Sequence, residues 1–423
     1  MKIHIDIDCF FVSAARIVDP SLNNKPVAIG GRSDTKIFDS GAKTQTINLE
    51  NRGNFVPTFF KTYEAKDDDI NAFRNARGEL TGILTTSSYE ARAYGIKTAM
   101  SIKEALILCP KLIIKAPNMT LYQKLSRELH EFLSLRIPVV EQASIDEFYG
   151  DLSGWVADEE VDSFINNLRL EILDVIKLPV SIGSARTRYI AKLATSSAKP
   201  FGSKIIFPHQ EDAFINPIKV EAFSGIGKSM QEKLRSAQIH TLGELKKRRG
   251  TIESWGPYAT ELYKRVAGLS DDTINTCKKR KSIGISRTFE PLFARAEVQK
   301  RVHILARHLS FAIQKLDVIP TTFHLAISYE MNQKSHRNIT LCEIFTEKKF
   351  NALCLSLFCE ADIYKRLHVI RLSINCSQFT KNSKRSLSLI GFEDDKQMQN
   401  LTKQTHKIRE KYGIDSLKWG CEL

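Results

Sequence analysis

Apolar and polar residues alternate at the start of the chain, where Ile3, Ile5 and Ile7 are separated by His4 and Asp6. This period of two predicts a β-strand, because successive side chains on a strand point to opposite faces. Two amphipathic helices are predicted further along, from apolar residues at helical spacing: Leu121, Leu125, Leu129, Phe132 and Leu133, and then Val161, Phe164, Ile165, Leu168, Ile172 and Ile176.

Short strand-like runs frame the second of these helices. Residues 139–143 and 148–152 lie between the two helices, and residues 180–183 follow the second one. The resulting order of strand, helix, hairpin, helix and strand is the ferredoxin-like split βαβ pattern. We therefore predict an α+β fold, and a chain of 423 residues is expected to form two to four domains.

Two adjacent carboxylates, Asp146 and Glu147, lie at the tip of the predicted hairpin in the stretch Ser144-Ile145-Asp146-Glu147. Neighbouring strand residues point to opposite faces, so the pair shares one face only if the backbone turns there. Two carboxylates on a rigid turn form a site for a hard divalent cation such as Mg²⁺, and a solvated surface pair is the alternative. The ferredoxin-like layout can also bring Asp6 beside Asp146.

The second half of the chain has features typical of nucleic-acid binding. Gly225 and Gly227 lie between short helical stretches, where free backbone N–H groups can bind phosphate, and the helix that follows favours a helix-hairpin-helix. Residues 278–281 form a basic run that is typical of a linker. Residues 283–390 contain 16 basic and 8 acidic residues, which favours a small α/β domain that grips nucleic acid over an ordinary solvated face.

Composition narrows the class of protein. The formal net charge of +14 is compatible with a polyanionic partner. The eight cysteines are scattered, without a Cys-x-x-Cys pair or a zinc-like cluster, which favours free thiols in a reducing compartment. No apolar run approaches membrane length, and the chain opens on a strand instead of a signal peptide. We expect a cytoplasmic protein.

Taken in order, six stretches resemble the Y-family of translesion DNA polymerases, most closely its DNA polymerase IV (DinB) branch. These stretches are Asp6-Ile7-Asp8-Cys9-Phe10-Phe11, Ser88-Tyr89-Glu90-Ala91-Arg92-Ala93-Tyr94-Gly95, Ser144-Ile145-Asp146-Glu147, residues 191–202 from Ala191-Lys192-Leu193-Ala194 to Lys199-Pro200-Phe201-Gly202, Gly225-Ile226-Gly227, and Lys281-Ser282-Ile283-Gly284. The resemblance covers nearly the whole chain, and six matches in family order are far more specific than any one of them.

The resemblance implies a multi-domain, right-hand polymerase. Its expected parts are a ferredoxin-like palm (1–10 and 117–206), small fingers (11–116), a helical helix-hairpin-helix thumb (207–273), a linker (274–282), an α/β little finger (283–390) and a C-terminal tail (391–423).

The resemblance also implies two-metal-ion catalysis of nucleotide transfer, with Mg²⁺ as the cofactor and Mn²⁺ as a substitute. Asp6 and Asp146 would bridge the two ions, and Glu147 would serve the ion at the primer hydroxyl. The carbonyl of Ile7 would complete the nucleotide-side ion. Asp8 has two readings, a direct role or a cap on the turn after the strand.

Substrate-binding residues are implied in the same way, with primer-template DNA and dNTPs as the partners. The nucleotide-binding residues would be Cys9, Phe10, Phe11, Tyr89, Arg92 and Lys199. Phe11 aligns with the steric gate, a ring that leaves no room for a 2′ hydroxyl, while Arg92 and Lys199 would neutralise triphosphate charge. The DNA-binding residues would be Gly225, Gly227, Lys228, Lys278, Lys279, Arg280, Lys281 and Arg287.

Two departures from the family pattern concern the fingers. Ala14-Ala15 stands where the family usually has Val-Glu, near the expected position of the nucleotide's sugar. An insertion of about residues 34–80 is expected to be a surface excursion, because acids in series such as Asp67-Asp68-Asp69 cannot be buried cheaply. It is either a loop without function or a protein-docking element that uses Phe55, Phe59, Phe60 and Tyr63.

The stretch Leu387-Ser388-Leu389-Ile390 lies where relatives often carry a sliding-clamp peptide that begins with Gln, and Ser386 occupies that first place here. The alternative is the last strand of the little finger. Residues 397–412 are predicted to form a terminal helix.

The function favoured by these residues is template-directed, low-fidelity DNA synthesis across lesions by a monomer, without proofreading. The alternative is a catalytically silent, DNA-bound scaffold that recruits other repair or replication factors.

Overall fold

The computed structural model describes residues 1–47, 59–62, 70–75, 77–270, 272–277, 279–380 and 392–422. Several features of the sequence lie outside these residues: Lys278 of the basic run, the acidic run at 67–69, the docking candidates Phe55 and Tyr63, and the clamp candidate at 387–390.

The secondary-structure elements are numbered in chain order. The strands are β1 (Lys2–Ile7), β2 (Val27–Gly31), β3 (Thr44–Ile47), β4 (Phe59–Thr62), β5 (Ile83–Ser87), β6 (Ile113–Lys115), β7 (Val139–Gln142), β8 (Glu147–Asp151), β9 (Val180–Ala185), β10 (Ser203–Ile205), β11 (Ser282–Leu292), β12 (Ile319–Tyr329), β13 (Lys334–Thr340) and β14 (Val369–Thr380). The α-helices are α1 (Phe10–Val18), α2 (Tyr89–Arg92), α3 (Ile102–Leu108), α4 (Met119–Ser134), α5 (Val161–Ile176), α6 (Arg188–Ala198), α7 (Glu211–Ile215), α8 (Lys228–Ser236), α9 (Leu242–Lys247), α10 (Arg249–Glu253), α11 (Pro257–Val266), α12 (Arg295–Lys315), α13 (Glu347–Ala361) and α14 (Phe392–Tyr412).

The chain forms two compact units, and the first contains the described residues 1–31 and 70–277. Its five-stranded sheet has the order β10-β9-β1-β8-β7, with β1 antiparallel to both β8 and β9. Ile3, Ile5 and Ile7 of β1 are buried in one core with the apolar residues of α4 and α5. The predicted α+β fold and the ferredoxin-like order of its elements are confirmed.

Helix α6 packs on this sheet beside His4, which alternates along β1 with the isoleucines. Gly183 of β9 permits the contact, because a Cβ atom there would lie 2.2 Å from the backbone N of Thr195 and 2.3 Å from the carbonyl O of Ala191. The hydroxyl of Thr195 lies 3.0 Å from Nδ1 of His4 and 3.0 Å from the carbonyl O of His4. The backbone of α6 therefore packs directly against β9, and Thr195 joins the helix to β1.

Further cores lie in the expected fingers and thumb of the first unit. A three-stranded sheet of order β5-β2-β6 packs with α2 and α3 around Leu84, Ile96 and Ile102, which corresponds to the expected fingers. Helices α7 to α11 share another core that includes Leu234 and Leu262, which corresponds to the expected thumb.

The segment that leaves the first unit is tied to its sheet through Glu141. Arg188 donates to both carboxylate oxygens of Glu141 at 2.8 Å, and the N–H of Asn275 donates to the same carboxylate at 2.7 Å. Residues 274–277 of the expected linker therefore belong to the first unit.

The second unit contains the described residues 32–47, 59–62 and 279–422. Its four-stranded antiparallel sheet has the order β11-β14-β12-β13 and shares a core with α12 and α13, and β3 and β4 form a separate pair. This is the expected small α/β domain with additional segments from elsewhere in the chain.

The described start of the insertion differs from the expectation of a surface excursion from the fingers. Ile37 is 1% exposed and belongs to the core of the second unit. The rings of Phe38 and Phe289 pack edge to face with their centres 5.8 Å apart. Nε of Arg287 donates to the carbonyl O of Asp34 at 3.1 Å. The adjacent apolar residues Ile37 and Phe38, in an otherwise polar stretch, are the sequence signal for this burial.

The C-terminal residues also belong to the second unit. Arg307 of α12 is 1% exposed and donates to the carboxylates of Glu422 at 2.7 Å and Asp415 at 2.9 Å. Asp415 in turn accepts a hydrogen bond from the N–H of Thr44 at 2.7 Å. A buried guanidinium needs such partners, because removing one partner of a buried ion pair costs roughly 3–5 kcal/mol. The predicted terminal helix is present and begins earlier than expected, at Phe392.

We expect Ile37→Ala to lower the free energy of unfolding of the second unit by about 2–4 kcal/mol, because it removes a buried side chain and leaves a cavity. Chemical denaturation measures this change. Lys36→Ala, at the exposed neighbouring position, is the control and should change the free energy by less than about 0.5 kcal/mol. Equal, small effects of both substitutions would contradict the contribution of Ile37 to this core.

Candidate active site

The pairing of β1 with β8 brings together acidic residues that are far apart in the sequence. Asp6 lies opposite Glu147 in the antiparallel register, and the N–H of Ile7 donates to the carbonyl O of Asp146 at 3.0 Å. Asp6, Asp146 and Glu147 therefore gather at one end of the sheet, as the ferredoxin-like layout predicts.

A serine organises the turn that carries two of these acids. The hydroxyl of Ser144 accepts hydrogen bonds from the N–H groups of Asp146 at 3.3 Å and Glu147 at 3.0 Å, and it donates to Oδ1 of Asp146 at 2.5 Å. Ser126 of α4 donates to the carbonyl O of Ile145 at 2.5 Å. The backbone turns at this point, so the adjacent acids are not held on opposite faces of a strand.

Two lysines, one within α6 and one directly after it, contact the acids. Nζ of Lys199 lies 2.5 Å from Oδ1 of Asp6. Nζ of Lys192 lies 2.7 Å from both carboxylate oxygens of Glu147. Lys192 is on α6 and Lys199 directly follows that helix, so the packing of α6 on β1 positions both ammonium groups.

Burial and neighbouring charges shift the pKa values of this cluster. Burial raises the pKa of Asp6 to about 6, against the opposing effect of the Lys199 ammonium, and the nearby Glu147 and Asp146 add to the rise. Burial also raises the pKa of Asp146. Burial alone would raise the pKa of Glu147, but the His4 imidazole, whose Nε2 lies 3.9 Å from its carboxylate, and the ammonium of Lys192 lower that pKa to about 2.

The chemistry of the donor set fits a hard divalent ion. Carboxylate oxygens, with the carbonyl of Ile7 next to Asp6, are the ligand type that Mg²⁺ prefers. Among the described residues, no three acidic, histidine or cysteine side chains already form a metal-binding group. Asp6 and Glu147 instead direct oxygens to Lys199 and Lys192, so metal binding requires these ammonium groups to move.

Asp8 has a clear structural environment. Its carboxylate accepts hydrogen bonds from the hydroxyl of Ser181 at 2.9 Å, from the N–H of Phe201 at 2.7 Å and from the hydroxyl of Tyr89 at 2.9 Å. The residue is 2% exposed. This geometry favours the structural reading, because one carboxylate connects β1 to β9, to the loop after Lys199 and to α2.

Apart from Lys199, the expected nucleotide-binding residues lie on α2 and at the start of α1. Tyr89 and Arg92 lie on α2, where the guanidinium carbon of Arg92 is 4.7 Å from the centre of the Tyr89 ring and Nε of Arg92 donates to Ser87. The ring of Phe11 is half-buried and stacks on Tyr122 with centres 4.2 Å apart.

The two residues before Phe11 are more enclosed. Phe10 is 3% exposed and belongs to the core under the sheet. Cys9 has a positive φ of 35° at the start of α1, and burial raises the pKa of its thiol.

The expected DNA-binding residues differ in accessibility. Gly225 has a φ of 102°, a conformation that favours glycine, and Gly227 precedes the exposed Lys228 at the start of α8. Lys279 and Lys281 are exposed, and Arg280 is half-buried. Arg287 is half-buried, and its guanidinium donates to the carbonyl groups of Asp34 and Ser286 inside the second unit.

Sequence reasoning missed several residues of this site. Lys192 is one of them, and it stands in the stretch 191–202 that matches the family, seven residues before Lys199. The contributions of Ser126 and Ser181 had no such signal, because they depend on how separate elements pack.

Comparison with known proteins identifies relatives along the whole chain. Residues 5–196 match the impB/mucB/samB family and residues 280–389 match the C-terminal domain of that family. DNA polymerase IV of Bacillus anthracis is 27% identical over 430 aligned residues, which cover 100% of this chain and 93% of the relative. DNA polymerase IV of Oceanobacillus iheyensis is 26% identical, over 97% of this chain and 89% of the relative.

Solved structures resemble the fold. A Y-family DNA polymerase chimera, Dbh-Dpo4(243-245)-Dbh, superposes with a TM-score of 0.72 at 20% identity, over 90% of this chain and 99% of that one. DinB from Sulfolobus solfataricus has a TM-score of 0.52 at 20% identity over the same shares of the two chains. The helices within the described residues include none that is long and apolar enough to cross a membrane.

We expect Asp8→Asn to lower the free energy of unfolding by about 1–3 kcal/mol, because an amide NH₂ replaces one of two acceptors that face only donors. Thermal and chemical denaturation measure the change. Asp174→Asn, at a carboxylate 87% exposed on α5, serves as the control and should have little effect. An Asp8→Asn protein as stable as the control would show that the hydrogen bonds of Asp8 do not depend on its charge.

Proposed function

The chain belongs to the impB/mucB/samB family of Y-family, DinB-like DNA polymerases, and we propose that it copies DNA across damaged template positions with low fidelity and without proofreading. The observation that carries this proposal is the convergence of Asp6, Asp146 and Glu147 at one end of the sheet. Relatives named DNA polymerase IV match the chain over nearly its full length.

The carboxylates are assigned by their chemistry and by their positions in the family's stretches. Asp6 and Asp146 would hold both metal ions, Glu147 would hold the ion at the primer end, and the carbonyl of Ile7 would complete the other. Two bound Mg²⁺ ions, with Mn²⁺ as a substitute, would activate the primer hydroxyl and neutralise charge on the triphosphate.

The protein's own residues hold and orient the nucleotide in this proposal. Arg92 and Lys199 bind the triphosphate as cations, and the hydroxyl of Tyr89 donates to it after leaving Asp8. Phe11 lies beneath the sugar, with its ring supported by the stacked ring of Tyr122. Support from behind matters, because a ring that could tilt away would not exclude a 2′ hydroxyl.

The departure from the family pattern at Ala14-Ala15 places two small side chains on α1, three and four residues after Phe11. Ala14 is 0% exposed in the core shared with α4 and α5, and Ala15 packs against the small core of α1 and β2. We therefore assign these residues to the core packing of α1 and not to a contact with the nucleotide.

We assign DNA binding to the thumb and to the exposed basic residues. Gly225, Gly227 and Lys228 at the start of α8, with Lys279 and Lys281, would contact phosphates without reading sequence, so binding should weaken steeply with salt. We further propose a monomer that acts in the cytoplasm, with a sliding clamp as a partner through residues 387–390.

The alternative function is a DNA-bound scaffold with a silent palm. Primer extension on an undamaged and an abasic template, with and without Mg²⁺, separates the two functions. Mg²⁺-dependent extension on both templates supports the polymerase, and DNA binding without extension supports the scaffold.

We expect Asp146→Asn and Glu147→Gln each to lower the rate of primer extension by about a hundredfold or more, because metal ligands stabilise the transition state by several kcal/mol. Primer-template affinity should change little, since DNA is held elsewhere. Glu159→Gln, at an exposed carboxylate of the same unit, is the control. Loss of DNA affinity in step with activity would show that the two acids are structural.

We expect Phe11→Ala to insert ribonucleotides far more readily, because removal of the ring opens space at the 2′ position. The measurement is the ratio of kcat/KM for a deoxyribonucleotide to that for the matching ribonucleotide. Phe11→Tyr keeps the ring and should retain the discrimination of the parent. Unchanged discrimination in Phe11→Ala would move the gate to another residue, with Phe10 as the first candidate.

A further inference from the structure

The two lysines at the acidic site lie where bound metal ions would need ligands. Nζ of Lys199 contacts Oδ1 of Asp6 at 2.5 Å, and Nζ of Lys192 contacts both oxygens of Glu147 at 2.7 Å. The partner side chains are between 13% and 29% exposed, so solvent screens these pairs only in part. Asp146 instead hydrogen-bonds to the hydroxyl of Ser144.

The arrangement follows from the charge of the site. Three carboxylates close together repel one another, and two ammonium groups offset most of that repulsion. A Mg²⁺ ion needs oxygen ligands at roughly 2.0–2.1 Å in a nearly octahedral arrangement. An ammonium that contacts both oxygens of Glu147 leaves no room for that geometry, so the lysine and the metal compete for the same ligand.

We propose that Lys192 and Lys199 are resident counter-ions of Asp6, Asp146 and Glu147, that they compete with divalent metal ions in the nucleotide-free protein, and that Lys199 is released from Asp6 when the triphosphate of an incoming nucleotide gives it another anion. This inference rests on the proposed function, because that function supplies the metal and the nucleotide.

The two lysines differ in the backbone from which they reach the acids. Lys192 is within α6, whose contact with His4 through Thr195 fixes the backbone beneath it. Lys199 follows the last residue of α6 and has extended backbone angles, φ −66° and ψ 145°. Lys192 can therefore leave Glu147 only by side-chain rotation. The N–H of Phe201, two residues after Lys199, is bound to Asp8 at 2.7 Å, so Lys199 also leaves Asp6 by side-chain rotation.

The consequence is a coupling between metal and nucleotide. Without nucleotide, a metal ion that displaces Lys199 leaves an ammonium group close to a cation, which disfavours binding. With nucleotide, Lys199 pairs with the triphosphate and Asp6 becomes available. Linkage requires the converse as well, so that bound metal strengthens the interaction of Lys199 with the triphosphate. Metal ions would thus bind weakly until the substrate arrives.

The test measures Mn²⁺ binding to the nucleotide-free, full-length protein by the electron paramagnetic resonance of free Mn²⁺. Lys192→Met and Lys199→Met should each bind Mn²⁺ about tenfold or more tightly than the parent, because each removes a competing charged hydrogen bond. Lys204→Met removes an exposed positive charge from the same sheet and should stay within about twofold of the parent. Asp146→Asn, added to each lysine variant, should weaken binding and so locate the ion at this site.

A second measurement separates the roles of the two lysines. Adding a deoxynucleoside triphosphate with a dideoxy-terminated primer-template should tighten Mn²⁺ binding in the parent and in Lys192→Met. The gain should be smaller in Lys199→Met, where no lysine is released. Thermal denaturation shows whether each variant is folded, and Mn²⁺ should raise the Tm of the lysine variants more than that of the parent.

Unchanged or weaker Mn²⁺ binding in both folded lysine variants would overturn the inference, because the lysines would then help to shape the metal site. Failure of the parent to extend primers would contradict the proposed function. That failure is separate, because the affinity comparison needs no turnover.

Discussion

The contact between α6 and the palm sheet is the constraint on which the site depends. It exists because Gly183 has no side chain where the backbone of Thr195 passes, and because Thr195 is joined to His4. Any larger residue at 183 would push away the helix that carries Lys192 and precedes Lys199. The close packing of a helix on a sheet therefore determines where two positive charges lie relative to three negative ones.

The sequence indicated the parts of the site that depend on local patterns. Alternation along β1 identified the strand with Asp6, and two strand-like runs around residues 144–147 identified the hairpin that pairs with it. Helical spacing identified the two helices under the sheet. Each of these signals is contained in fewer than about twenty consecutive residues, and periodicity is most reliable over such a length.

The rest depended on contacts between segments that no periodicity connects. Asp8 could be a ligand or a cap on sequence grounds, and only the positions of Ser181, Phe201 and Tyr89 distinguish the two. The role of Ile37 required knowing that a stretch near the N-terminus completes a core formed mainly after residue 279. An apolar pair in a polar stretch signals burial somewhere, but it does not say in which unit.

The second unit is therefore not one continuous stretch of the sequence. Its described residues come from three stretches of the chain, 32–47, 59–62 and 279–422. An engineered exchange of the C-terminal domain with that of a relative, cut only near residue 279, would leave Ile37 and Thr44 facing a foreign core. A modular exchange of this domain has to transplant these separate pieces of the gene together.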